Sequence, residues 1–111
     1  MMNVVAIIGN LGQDPVIGES RNTTYARLSV AVNESWNDSD GKRQERVTWV
    51  PVVAFNGLAK SLHQLAKGDQ VAVSGRLQTN TFDTDEGTRR RLEVVATSID
   101  FLRVKAWNEQ R

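Results

Sequence analysis

Five stretches in which polar and apolar residues alternate, one intervening stretch of helical period, and clusters of turn formers between them predict an all-β fold. The expected architecture is a five-stranded Greek-key barrel with one short α-helix between the third and fourth strands.

The first strand is expected over about residues 3–10, ending in the turn-rich run Gly9-Asn10-Leu11-Gly12-Gln13-Asp14-Pro15. The second, about 24–33, alternates Ala26, Leu28, Val30 and Val32 against Tyr25, Arg27, Ser29, Ala31 and Asn33. A hydrophilic segment containing Asn37-Asp38-Ser39-Asp40-Gly41 follows and is expected to be a long loop, the most mobile part of the molecule. The third strand, about 46–55, sets Thr48, Val50, Val52 and Ala54 against Val47, Trp49, Pro51, Val53 and Phe55, with the small branched set facing the core. Next the period changes: Leu58, Leu62, Leu65 and Ala66 form one stripe of a short helix that Gly68 is expected to end in a left-handed cap. Strands over about 70–82 and 89–104, joined around Asp83-Thr84-Asp85-Glu86-Gly87, complete the count. One helix among five strands in this order matches the oligonucleotide/oligosaccharide-binding (OB) fold, in which a helix after the third strand plugs the barrel.

A chain of 111 residues with 40% apolar content suits one domain, expected over residues 1–105, followed by a short extension at 106–111. Lacking cysteine, it has no disulfide or thiolate site, which fits a cytoplasmic protein. The N-terminus has no basic leader, and no apolar run is long enough for secretion or for spanning a membrane. Fourteen Lys and Arg against thirteen Asp and Glu leave +1, so bulk charge alone does not indicate a nucleic-acid partner. Catalysis and cofactors find little support: His63 is the only histidine and falls on the polar side of the helix, no phosphate-binding loop is present, and no nucleophile, base and orienter come together. Asp83, Asp85 and Glu86 read as a solvated hairpin tip rather than a metal site.

The aromatic residues point elsewhere. Trp36, Trp49, Phe55 and Phe82 lie within or at the ends of strands that have one polar face, and Phe82 shares its parity with Arg76, Gln78 and Asn80. Rings beside hydrogen-bond donors and a cation suit single-stranded nucleic acid, whose unpaired bases stack for about 1–3 kcal/mol each.

The motifs Gly9-Asn10-Leu11-Gly12-Gln13-Asp14-Pro15, Asn33-Glu34-Ser35-Trp36, Trp49-Val50-Pro51-Val52-Val53-Ala54-Phe55, Lys67-Gly68-Asp69-Gln70-Val71 and Gly75-Arg76-Leu77 occur in one register. In these the chain resembles bacterial single-stranded DNA-binding proteins over about residues 3–104. The resemblance implies base stacking on Trp36, Trp49, Phe55 and Phe82, the last standing where many members carry tryptophan. Arg76 and Lys67 lead as phosphate partners, with Arg46, Arg89, Arg90 and Arg91 behind them. It also implies a non-enzymatic, cytoplasmic and nucleoid-associated protein without a cofactor. Such a protein coats strands during replication, recombination and repair, as a homo-oligomer with a tetramer favoured over a dimer.

Departures from the pattern carry expectations of their own. Pro51 stands where members often have a basic residue, and because it cannot donate to a ladder its strand should have a free edge or a bulge there. Gln78, Asn80 and Thr81 also lack the family's frequent cations, so a shallow salt dependence is expected, about −0.7 per neutralised phosphate. Members usually continue into a linker and an acidic tail that recruits replication or repair proteins; this sequence stops at Arg111, as a naturally short form or a truncated one, so tail-mediated recruitment is not carried over to it. Trp107 reads as a packing residue and Phe101 as core or subunit interface. Two alternatives stay open: a primosomal replication protein, a dimeric relative acting as an assembly adaptor, and a barrel used only for protein contacts with its rings buried.

Overall fold

The computed structural model describes residues 1–104; the expected extension at 106–111, with Trp107, lies outside the described residues. Six strands form: β1 (Val5–Leu11), β2 (Val16–Ser20), β3 (Thr23–Asn37), β4 (Arg43–Phe55), β5 (Gln70–Thr84) and β6 (Gly87–Arg103). Helix α1 (Asn56–Ser61) and a 3₁₀ turn (Leu62–Gln64) lie between β4 and β5. None of the described helices is long and apolar enough to cross a membrane.

The sheet runs β1-β5-β6-β4-β3-β2 and closes on itself through β1–β3 pairs at Asn10↔Ala31 and Leu11↔Val30. Five strands therefore make the barrel, as in the OB fold, and β2 is an addition on the outside of β3. The alternation expected from the sequence fills the interior: Ala26, Leu28 and Val30 of β3, Val52 and Ala54 of β4, Val71 and Val73 of β5, and Val94 and Ala96 of β6 are all buried in one cluster. Fully burying each Val or Leu side chain among these contributes about 1.5–3 kcal/mol. Ala59, Leu62 and Leu65 cover one end, and Ile99 and Phe101 pack against the cluster from β6. Phe101 thus serves the core.

Backbones approach most closely where β5 turns into its outer half. A register shift falls between Ser74 and Gly75, and a Cβ at Gly75 would collide with the Val95 carbonyl. The register skips Thr97, so the extra residue of this bulge is on β6, and the glycine opposite it lets the two backbones come close.

Several sequence expectations are corrected. The helical segment ends at Gln64, and Leu65 is extended (φ −85°, ψ 151°). Gly68, at φ +94°, belongs to the turn before β5 instead of capping the helix: its N–H donates to the Leu11 carbonyl. Buried Asp69 competes for the backbone here, accepting the Ala66 N–H on its carboxylate. The hydrophilic loop after the second expected strand is mostly strand. β3 and β4 pair continuously from Tyr25↔Phe55 to Asn37↔Arg43, leaving residues 38–42 as the turn. That ribbon is polar because it projects beyond the barrel and is wet on both faces. β2 escaped the sequence reading because Val16–Ser20 is short and exposed except at Gly18, so it carries little alternation.

Candidate nucleic-acid interface

Two ribbons leave the barrel, β3–β4 and β5–β6, and β4 meets β6 only at Val52↔Val94 and Val53↔Val95. The register of these pairs defines one outer face. β3 contributes Tyr25, Arg27, Ser29 and Ala31, and β4 contributes Phe55, Val53, Pro51 and Trp49 opposite them. β6 contributes Val95, Glu93, Arg91 and Arg89, paired with Arg76, Gln78, Asn80 and Phe82 of β5.

Pro51 explains the gap between the ribbons. It pairs with Ser29, whose carbonyl turns away from β4 to accept the Gly12 N–H at 2.9 Å. The missing donor of Pro51 therefore points to the opposite edge, where pairing with β6 starts only one residue later. This is the free edge expected there, without a bulge. A cleft opens along it, lined by Arg27, Ser29 and Pro51 on one side and Arg91 and Glu93 on the other.

Three of the four expected rings share this face. Trp49 is 58% exposed and Phe55 41%, the latter at the junction of β4 and α1. Trp49 lies across the β1–β2 turn so closely that a Cβ at Gly12 would run into its indole ring. Glycine there lets the backbone act as the floor for the ring. Phe82 is also 41% exposed, near the tip of the β5–β6 ribbon, with the Arg91 guanidinium 5.9 Å from its ring centre. Trp36 is placed differently. It is 45% exposed, but it shares its parity with Val32 and Glu34, and so sits on the other face of the ribbon from Trp49. There the Arg46 guanidinium covers it at 5.3 Å.

The cations divide by what already holds them. Arg46 is paired with Glu34 at 3.0 Å and Arg89 with Glu86 at 2.9 Å, both exposed pairs of the kind worth about 0–1 kcal/mol. Arg76, beside Val95, and Lys67, in the turn before β5, make no ion pair among the described residues; the Lys67 backbone N–H donates to Asp14. Arg90 stands opposite Thr81, on the other face of its ribbon.

Sequence reasoning passed over Tyr25, Arg27 and Glu93. The Arg27 guanidinium lies 5.6 Å from the Tyr25 ring centre and 3.8 Å from the Glu93 carboxylate, which Arg91 approaches at the same distance from the other side. Glu93 is buried on the outer face and also accepts a hydrogen bond from the Gln78 amide at 2.9 Å. The parity of Tyr25 and Arg27 was legible; the pairing that sets β3, β4 and β6 side by side was not.

The model of the single-strand binding protein family matches residues 2–102. Single-stranded DNA-binding protein 2 of Chlorobaculum tepidum is 39% identical over 111 residues, covering 96% of this chain and 75% of that protein. Single-stranded DNA-binding protein 1 of Xylella fastidiosa is 35% identical, with 98% and 83% covered. The protein of Deinococcus radiodurans is 34% identical over 95% of this chain, which spans only 34% of that longer relative. Among solved structures, the Plasmodium falciparum SSB in complex with ssDNA superposes with a TM-score of 0.82 over 92% of this chain and 96% of its own, at 24% identity. A deletion mutant of the Thermus aquaticus single-stranded DNA binding protein gives the same TM-score and identity, over 95% of this chain and 52% of its own. The family model over residues 2–102, with relatives 35–39% identical across most of both chains, places the chain in the single-strand binding protein family.

Proposed function

We propose that the chain binds and coats single-stranded DNA with little sequence preference, by stacking bases on its outer face and neutralising phosphates beside them, and carries out no catalysis. The observation that carries this reading is the pair Trp49 and Phe55, large rings left open on a strand whose other face is core. Stacking uses the π-face that every base has, and phosphate contacts do not read base edges, so neither demands a sequence. The curated relatives named above are single-stranded DNA-binding proteins, which supports the same ligand here.

Trp49, Phe55 and Phe82 take bases, with Arg76, Lys67 and Arg91 as their phosphate partners. Trp36, Arg46 and Arg89 form an outer contact set along the arms, which a strand reaches after leaving the central face. One barrel over residues 1–105 is the binding unit, and replication, recombination and repair are the processes it serves. A homo-oligomer, a tetramer before a dimer, is supported by edges and apolar groups on the outside. β1 pairs with β5 along Val5–Asn10 but with β3 only at its end, and Ile8, Leu77 and Leu92 are exposed.

Titration of intrinsic tryptophan fluorescence with a long oligo-dT and with a duplex of equal length tests the reading. Strong quenching by the single strand alone is expected. No response to either would refute DNA binding through these rings, and an equal response to both would replace stacking with charge-driven binding.

A further inference from the structure

We infer that Arg27 and Arg91, both held by the buried carboxylate of Glu93, form a phosphate clamp on the outer face, with Glu93 as its positioning residue. The clamp rests on the single-stranded DNA reading and deepens it. It adds two residues, Arg27 and Glu93, and gives a third, Arg91, a defined task.

Glu93 is 3% exposed, an unusual setting for a carboxylate, on a face that also carries the exposed rings Trp49, Phe55 and Phe82. Its one short hydrogen bond comes from Gln78; the two guanidinium groups stand off at 3.8 Å. Both arginine side chains remain about half exposed, at 48% and 49%. A guanidinium has five N–H donors, and a single carboxylate shared at this distance leaves most of them unused. The cluster carries two positive charges against one negative, so its net charge is positive. Its surroundings also fit a nucleotide. Arg27, Asn80, Phe82 and Arg91 line one recess, which puts a ring and an amide beside the unused donors.

Arg91 has a second position to give up. Its guanidinium lies over the Phe82 ring, a cation–π contact at an exposed site. A base that stacks on that side of Phe82 displaces it, and Arg91 then turns to the phosphate of the same nucleotide while Glu93 keeps its stem in place. Arg27 makes the equivalent exchange from Tyr25. The carboxylate prevents the two like charges from driving each other out of the recess.

This arrangement separates position from charge. Glu93→Gln raises the formal charge of the site by one, so simple attraction would tighten binding to DNA. The clamp requires the opposite, a loss of about five- to tenfold in affinity for oligo-dT, since two unrestrained guanidinium groups repel and disperse. Arg27→Ala and Arg91→Ala, both at surface positions, should each weaken binding and reduce the slope of log K against log salt by about 0.7. Arg27→Lys should keep most of the slope while losing part of the affinity.

The experiment is a salt titration of oligo-dT affinity for the wild-type chain and these variants, with thermal melts to establish folding. If the wild type binds and either arginine variant keeps its full salt slope, or folded Glu93→Gln binds more tightly, the clamp is wrong and the single-strand reading stands. If the wild type fails to bind oligo-dT, both fall together.

Discussion

At the scale of single residues, Trp49 is the most informative. Strand parity set it opposite Val50, Val52 and Ala54, and the polar company of Phe82 on the next strand, with the family resemblance, chose an aromatic platform over a second buried face. Trp49→Ala should weaken oligo-dT binding by about 1–3 kcal/mol with little change in the melting temperature. A collapsed melt with unchanged affinity per folded molecule would instead make the ring structural. Gly12→Ala provides a test that removes no ligand contact. Its methyl group would strike the indole, so a shift in tryptophan emission and weaker binding are both expected, and an unchanged emission spectrum would show that the ring does not rest on the turn. Parity could not reveal Glu93. In sequence it is one acid after three arginines and a leucine, and only the pairing of β6 with Gln78 of β5 and the approach of Arg27 from β3 bury it.

At the scale of elements, the two ribbons divide what was legible from what was not. Barrel strands announced themselves because one face is buried and alternation follows. The outer part of β3–β4 has no buried face, so its strands looked like loop, and Trp36 was placed after a strand when it lies within one. What fixes this arm is its turn. Asp38 accepts the N–H groups of Asp40 and Lys42 on one carboxylate oxygen and the Gln44 amide on the other. The Lys42 N–H is the largest influence holding the Asp38 carboxyl below its ordinary value of 3.8; partial desolvation opposes it, and the Asp40 N–H and Gln44 amide reinforce it. A carboxyl whose pKa is lowered by folding stabilises the folded turn fully above its unfolded value and loses that contribution as pH falls through the folded one. The turn should therefore loosen below about pH 4, seen as faster exchange of the Lys42 amide than the rate expected from pH alone; Asp38→Ala should show this loosening already at neutral pH. In the barrel itself, Gly75→Ala forces a methyl group against the Val95 backbone and should cost about 1–3 kcal/mol of stability in a denaturant melt. A neutral result there would mean that the bulge relaxes freely.

On the scale of the whole molecule, a net charge of +1 conceals a sorted surface. The acids pair with the arm arginines Arg46 and Arg89, while Arg76 and Lys67 stand without an ion pair among the described residues. With Arg27 and Arg91 added, about three to four phosphates per barrel are neutralised, corresponding to a salt slope of about −2 to −3. A much steeper slope would mean that the arm arginines Arg46 and Arg89 give up their carboxylates and neutralise phosphates as well. Subunit number was not legible, since an exposed strand edge states a need for cover without naming it. The open edge of β1 beside exposed Ile8 is expected to supply the contact. Ile8→Glu should lower the mass measured by light scattering, and an unchanged mass would move the subunit interface elsewhere.

The central claim is that bases stack on the rings of one outer face. Ultraviolet crosslinking of the chain to oligo-dT, with the attached residues identified by mass spectrometry, tests it most directly. Crosslinks at Trp49 and Phe55, with Phe82 beside them, are the expected result. Crosslinks confined to residues away from these rings, such as exposed Ile8, Leu77 and Leu92, would contradict it and turn the aromatic face into a surface for protein contacts.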